Sequence, residues 1–139
     1  MTQQSELPPD VQILLRDHIE SYEQLELLLL IRAEGQTLWT EETLGGRLSM
    51  ASSLVRAALD GLEAAGLVKA QVDSGTKRYS YLCQNDTVEG SISRLATTYR
   101  EHPISIIKLM SANSIERLRT AALRTFADAF ILRKDKNRG

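Results

Sequence analysis

Apolar positions recur with a helical period through the first third of the chain, switch once to a period of two, and then return to helical spacing. Residues 1–6 are polar and patternless, so fraying is expected there. Pro8-Pro9 can open a helix, because proline suits the first turn, where backbone N–H groups have no helical partner. A helix over about 9–18 places Val11, Leu14, Leu15 and His18 near one face. Ser21 and Gln24 have the spacing of a capping box. Tyr22, Leu25, Leu28, Leu29 and Arg32 then follow the 3.6-residue period. The almost unbroken run Leu27–Ile31 predicts a central helix buried on most sides and ended by Gly35.

Thr40 is placed to cap the next helix, with Glu41 and Glu42 at its positive end and Trp39 positioned to staple onto Leu44. Leu44 and Leu48 are expected to face inward. Ser49 interrupts, and a longer helix over about 51–65 is expected to bury Leu54, Val55, Ala58, Leu59 and Leu62. Gly66 stops it where a left-handed residue commonly closes a helix. The period-two segments Leu67–Val72 and Lys77–Cys83 flank Asp73-Ser74-Gly75-Thr76 and read as a hairpin, with Tyr79, Tyr81 and Cys83 on one face.

Asp86 with Glu89 again has capping-box spacing, ahead of a stripe of Val88, Ile92, Leu95, Ala96 and Tyr99. Pro103 requires a kink or restart. Ile104, Ile106, Ile107, Leu109 and Met110 are apolar enough to be buried. Ser114 can cap a last helix, turning Ile115, Leu118, Ala122, Phe126, Ala129 and Phe130 inward and ending near Arg133. The predicted class is mainly α with a small β-hairpin wing: a winged helix-turn-helix with extra N- and C-terminal helices. Residues 7–84 form the winged domain with its N-terminal helices. Residues 85–133 form a C-terminal helical extension, and 134–139 a flexible tail.

The spacing has a mechanical reason. Two helices joined by a tight turn need a small residue, Gly45, where their axes approach, and inner leucines to lock the crossing angle. Gly46 and Gly61 also lie inside predicted helices, where each costs about 0.5–1 kcal/mol against alanine. Close packing against a neighbour is one reason to keep them. On Leu44-Gly45-x-x-Leu48, Val55, Leu59-x-x-Leu62, Gly66-Leu67-Val68 and Arg78-Tyr79-x-Tyr81, the chain resembles the winged helix-turn-helix regulators, the MarR-like and PadR-like families in particular. The resemblance is clear over about a third of the chain.

That resemblance implies that the longer helix enters the major groove of double-stranded DNA. Its outward positions are Ser52, Ser53, Arg56, Ala57 and Asp60, and Arg56 is the side chain able to grip guanine with two hydrogen bonds. Lys77 and Arg78 on the wing would meet phosphate or the minor groove. It also implies a homodimer formed through the C-terminal helices and regulation of transcription without catalysis. Against this stand plainer roles. Ser52 or Ser53 can simply cap the helix, Arg56 can pair with Asp60, and Lys77 and Arg78 can be solvated strand residues. An alternative function is a protein-interaction module of the same fold that does not bind DNA.

Charge sharpens the contrast between the two. Residues 1–48 carry three basic and nine acidic side chains, residues 49–93 four and five, and residues 94–139 ten and four. A basic C-terminal end can serve nucleic acid, or it can complement the acidic N-terminal part within the protein or across a dimer. Neither the charge balance of −1 nor the acids Asp60 and Glu63 beside Arg56 favour phosphate. At 139 residues with 42% hydrophobic positions, the chain can bury a core. Its longest apolar run is too short for a bilayer and its start has no signal pattern, so a cytoplasmic protein is expected. A single cysteine, Cys83, and two scattered histidines, His18 and His102, show no metal-ligand spacing, no internal disulfide and no catalytic pair. Phosphate loops and nucleophile elbows are not found either, and no cofactor is expected. An effector could sit between the winged domain and the last helices, but no residue pattern names one.

Overall fold

The computed structural model describes residues 7–82 and 85–136, with side chains through Ile131. Six helices and one hairpin follow in the order α1 (Pro9–Asp17), α2 (Tyr22–Ala33), α3 (Glu41–Leu48), α4 (Ser52–Ala64), β1 (Val68–Asp73), β2 (Thr76–Tyr81), α5 (Asp86–Glu101) and α6 (Pro103–Lys136). Pro9 occupies the first turn of α1. The face of α1 buries Val11, Leu14 and Leu15 as expected, but His18 is exposed at its C-cap and Ile19 takes the inward place.

Helix α2 is central, burying Gln24, Leu25, Leu27, Leu28 and Ile31, whereas Tyr22 stays half exposed. Ser21 accepts a hydrogen bond from the Gln24 N–H at 3.1 Å, and the Gln24 side-chain Oε1 reaches one residue further back, accepting from the Glu20 N–H at 2.7 Å. Against α2 packs α4, contributing Val55, Ala58, Leu59 and Leu62 to the same core. Leu54, expected in that core, is 48% exposed. At 100° per residue it falls just beyond Ala58, outside the stripe of Val55, Ala58, Leu59 and Leu62 that forms the core side of α4. The opposite face of α4 is left to solvent.

Thr40 and Thr43 cap α3 reciprocally: the Thr40 hydroxyl accepts from the Thr43 N–H at 3.1 Å, and the Thr43 hydroxyl accepts from the Thr40 N–H at 3.0 Å. Trp39 and Leu44 are both buried in the core, consistent with the staple. Trp39 does more than staple, since its backbone exchanges two hydrogen bonds with Tyr79 of β2, at 2.8 and 2.7 Å. The α2–α3 connection is thereby tied to the hairpin. Ser49 closes α3 with φ of 55°, and the Met50 N–H returns to the Gly45 carbonyl at 2.9 Å.

The glycines divide cleanly. A Cβ on Gly45 would lie 3.0 Å from the Met50 carbonyl oxygen and 3.6 Å from the Val55 side chain, so the turn passes directly over it. On Gly61 it would lie 2.1 Å from the Gln24 amide nitrogen, so the Gln24 side chain of α2 lies directly against the α4 backbone there. At Gly46 it would meet nothing within 4 Å. Gly66, with φ of 76°, turns the chain out of α4. Strands β1 and β2 pair antiparallel with Asp73 opposite Thr76, around Ser74 and Gly75 at φ of 53° and 83°. Two consecutive positive φ values give the strand twist that a tight hairpin needs.

Helix α5 is capped by Asn85, whose side chain accepts from the Val88 N–H at 2.8 Å, one residue before the Asp86 expected from spacing. It buries Ile92, Leu95 and Thr98 and packs on α1 and α6. Pro103 restarts the chain as α6, a single helix of 34 residues. Ser114 therefore caps nothing, because no glycine or proline follows Pro103 before Gly139 and the helical backbone simply continues. The first part of α6 buries Ile106 and Met110, but Ile104 is exposed. Beyond Ser114, the side chains expected inward are outward: Ile115, Leu118, Phe126 and Phe130 are 61–72% exposed, and Ala122 and Ala129 are exposed with them. The helix extends through Lys136, past the predicted end near Arg133; Cys83, Gln84 and residues 137–139 lie outside the described residues.

The two adjacent glycines of α3 should respond oppositely to substitution. Gly46→Ala should raise unfolding stability by about 0.5–1 kcal/mol, since a helix interior gains from alanine and the space is open. Gly45→Val should lower it by about 1–3 kcal/mol through overpacking against the turn. Urea unfolding of the two variants measures both.

Candidate nucleic-acid interface

The exposed face of α4 begins at its N-terminus. Ala51 stands at the N-cap with no side-chain hydrogen bond, so neither Ser52 nor Ser53 caps the helix, and both are exposed in its first turn. Arg56 and Ala57 lie one turn on, also exposed. At 100° per residue, these four positions fall within one exposed sector of the helix. The structure therefore brings Ser52, Ser53, Arg56 and Ala57 together. First-turn N–H groups there have no side-chain partner from the N-cap residue, and such groups favour an anion.

Arg56 does not pair with Asp60. Its Nε and Nη2 donate to the two carboxylate oxygens of Glu41 in the first turn of α3, each at 3.2 Å. These hydrogen bonds, and then the Glu41 charge, hold the Arg56 guanidinium above its ordinary pKa. Glu41 had been expected only as a favourable charge at a helix start, and its partner lies 15 residues away, across the turn. Helix spacing alone cannot signal such a pair. Tertiary packing of α3 on α4 creates it.

The wing contributes less than one continuous surface. Its pleat puts Lys77 on the face of Tyr79 and Arg78 on the opposite face, so the two basic residues are not brought together. Lys77 stands over the Tyr79 ring, 5.5 Å from its centroid, and its Nζ is 3.8 Å from Glu63 near the end of α4. Arg78 is half-buried opposite Gln71. Arg47 on α3 reaches Glu34 at 3.4 Å and covers the Trp39 ring at 5.7 Å. The face thus sets Arg56 and Lys77 among Glu41, Asp60 and Glu63.

A polar network fixes the base of the wing to the helices. Glu89 on α5 accepts from Arg32 on α2 through Nε at 3.1 Å and Nη2 at 2.9 Å, and it also accepts from the Tyr81 hydroxyl on β2. Two further contacts join the acidic and basic parts of the chain: Arg94 to Asp10 at 3.1 Å and Arg117 to the Glu20 carbonyl at 2.9 Å. Part of the charge gradient along the sequence is therefore complemented within one subunit. Among the described residues, no group of three or more His, Cys, Asp or Glu side chains is placed to hold a metal, and no helix is long and apolar enough to cross a membrane.

Helix, short helix, turn, exposed longer helix and hairpin define a winged helix-turn-helix fold. Solved structures share it over most of this chain. A single-substitution mutant of S. aureus MepR bound to an oligodeoxyribonucleotide matches with a TM-score of 0.52 at 16% identity, covering 91% of each chain. The S. aureus MepR–DNA complex matches with a TM-score of 0.50 at 18% identity, over 91% of this chain and 94% of that one. The homodimeric winged helix-turn-helix DNA-binding domain of Mb0332 from Mycobacterium bovis matches with a TM-score of 0.50 at 18% identity, over 73% of this chain and 90% of that one. No family model and no curated protein matches the sequence.

Removing the Glu89 carboxylate should loosen the wing. Glu89→Ala is expected to lower stability by about 1 kcal/mol and to speed amide exchange in Val68–Asp73 and Thr76–Tyr81 more than in α2. Hydrogen exchange resolved by segment provides the check.

Proposed function

We propose that this chain is a non-catalytic transcriptional regulator that binds double-stranded DNA as a homodimer. The observation that carries the reading is the exposed N-terminal half of α4, presented beside a hairpin on a fold shared with structures bound to DNA. In this reading α4 enters the major groove. Ser52 and Ser53 contact phosphate or base edges, Arg56 takes a guanine, and Ala57 is small enough to allow close approach. Lys77 and Arg78 contact backbone phosphates on either side of the wing.

The exposed side chains in the C-terminal half of α6 support the dimer reading. Ile115, Leu118, Leu123, Phe126, Phe130 and Ile131 are 56–72% exposed along a stretch of roughly 25 Å. This many exposed apolar side chains on one helix are costly to leave in water, and a second copy of the same helix would cover them with matching chemistry. The homodimeric Mb0332 domain supports a two-copy arrangement for this fold. Two copies double the basic contacts, which matters because one face holds few of them and affinity at physiological salt rests on neutralising phosphate.

Selection from random duplex DNA tests the first part. Specific enrichment is expected at low salt, with Arg56→Ala reducing discrimination at one base pair by about tenfold or more. An absence of enrichment at low salt would instead favour a winged-helix module that docks a protein, for which the acidic neighbours of Arg56 and Lys77 speak. Light scattering tests the second part. The wild-type mass should be that of two chains at micromolar concentration and that of one chain for Phe126→Glu, while a single-chain mass for the wild type would refute the dimer.

A further inference from the structure

Arg56 is held in a particular way. Glu41 occupies the side of the guanidinium formed by Nε and one Nη2 hydrogen. That leaves the end edge, Nη1 with the second Nη2 hydrogen, as a two-donor fork on a side chain that is 68% exposed. Such a fork fits two acceptors side by side, and the guanine O6/N7 edge is one such pair. A phosphate offers a similar pair, but with a full negative charge.

The acid beside Arg56 separates these two partners. A phosphate drawn to the open fork comes within a few ångströms of the Glu41 carboxylate, and like charges at that range repel. Asp60, one turn further along α4, adds to the same repulsion. A neutral base edge suffers much less. Side-on pairing also fixes the plane of the guanidinium, which reduces the freedom lost when it meets a base.

Resting on the DNA reading above, we infer that Glu41 is a specificity-determining residue that holds Arg56 for guanine and disfavours its use on phosphate. Glu41 is a positioning residue here, since it acts through Arg56. Its charge repels the phosphates of non-specific DNA, and its two hydrogen bonds orient the guanidinium. Arg56 is then committed to sequence rather than to general affinity.

The experiment compares wild type, Glu41→Gln and Glu42→Gln, each as the full chain, on the selected duplex and on a scrambled duplex. Thermal unfolding of each variant confirms that it is folded. Glu41→Gln should bind the scrambled duplex roughly fivefold more tightly, and the ratio of selected to scrambled affinity should fall several-fold. Glu42→Gln removes an equal charge from the next residue, whereas the hydrogen bonds and ion pair of Arg56 go to Glu41. It should shift both affinities together and leave the ratio unchanged. A folded Glu41→Gln with an unaltered ratio, or a ratio lowered equally by Glu42→Gln, overturns this inference alone. Binding of neither duplex by any of the three proteins at low salt overturns the DNA reading and this inference with it.

Discussion

The seam between α2 and α4 sets the terms for the rest of the molecule. Helix α2 buries Leu25, Leu28 and Ile31 along with Leu27 on another side, so it cannot serve as a surface element. Helix α4 buries only the stripe of Val55, Ala58, Leu59 and Leu62, and Gly61 lets it come down onto the Gln24 side chain. A helix anchored along one stripe must present the opposite side. The outward set of Ser52, Ser53, Arg56 and Ala57 is therefore a consequence of inward packing, before any partner is considered.

From that seam the hairpin and the C-terminal helices take their places. Gly66 leaves the end of α4 in a left-handed conformation and directs the chain into β1. The Trp39–Tyr79 bridge attaches the hairpin to the start of α3, and Glu89 attaches its base to α2 and α5. The wing is thus braced near its base, through Tyr79 and Tyr81, against helices that carry the core. Its exposed tip at Ser74 and Gly75 remains the part with fewest anchors. These ties hold the exposed face of α4 and the hairpin in a fixed relation, which under the proposed reading lowers the ordering cost of binding.

Electrostatics give the face an unusual balance. Arg56 and Lys77 each stand beside an acid supplied by a neighbouring element rather than by their own helix or strand. Surface pairs of this type contribute little to stability. In the proposed DNA reading their consequence lies in recognition, because phosphate approaching the face meets both signs of charge. Under that reading such a surface would rely on a second subunit and on base contacts more than a strongly basic one does.

By itself, the sequence determined the winged unit. Leucine spacing, the Thr40 cap, Gly45 under the turn, Gly66 at the exit and the Ser74-Gly75 turn are local signals, each readable from a few neighbouring residues. Sequence spacing also showed which residues of α4 point outward, because a 3.6-residue period fixes the far side once the near side is buried. Tertiary structure alone decided the rest. It placed Glu41 against Arg56, separated Lys77 from Arg78 in use, turned Leu54 out of the core, and ran α6 straight through Ser114 with its apolar side uncovered. Those outcomes depend on which elements lie close in space and where the core runs out of partners, and periodicity within one segment carries no information about either.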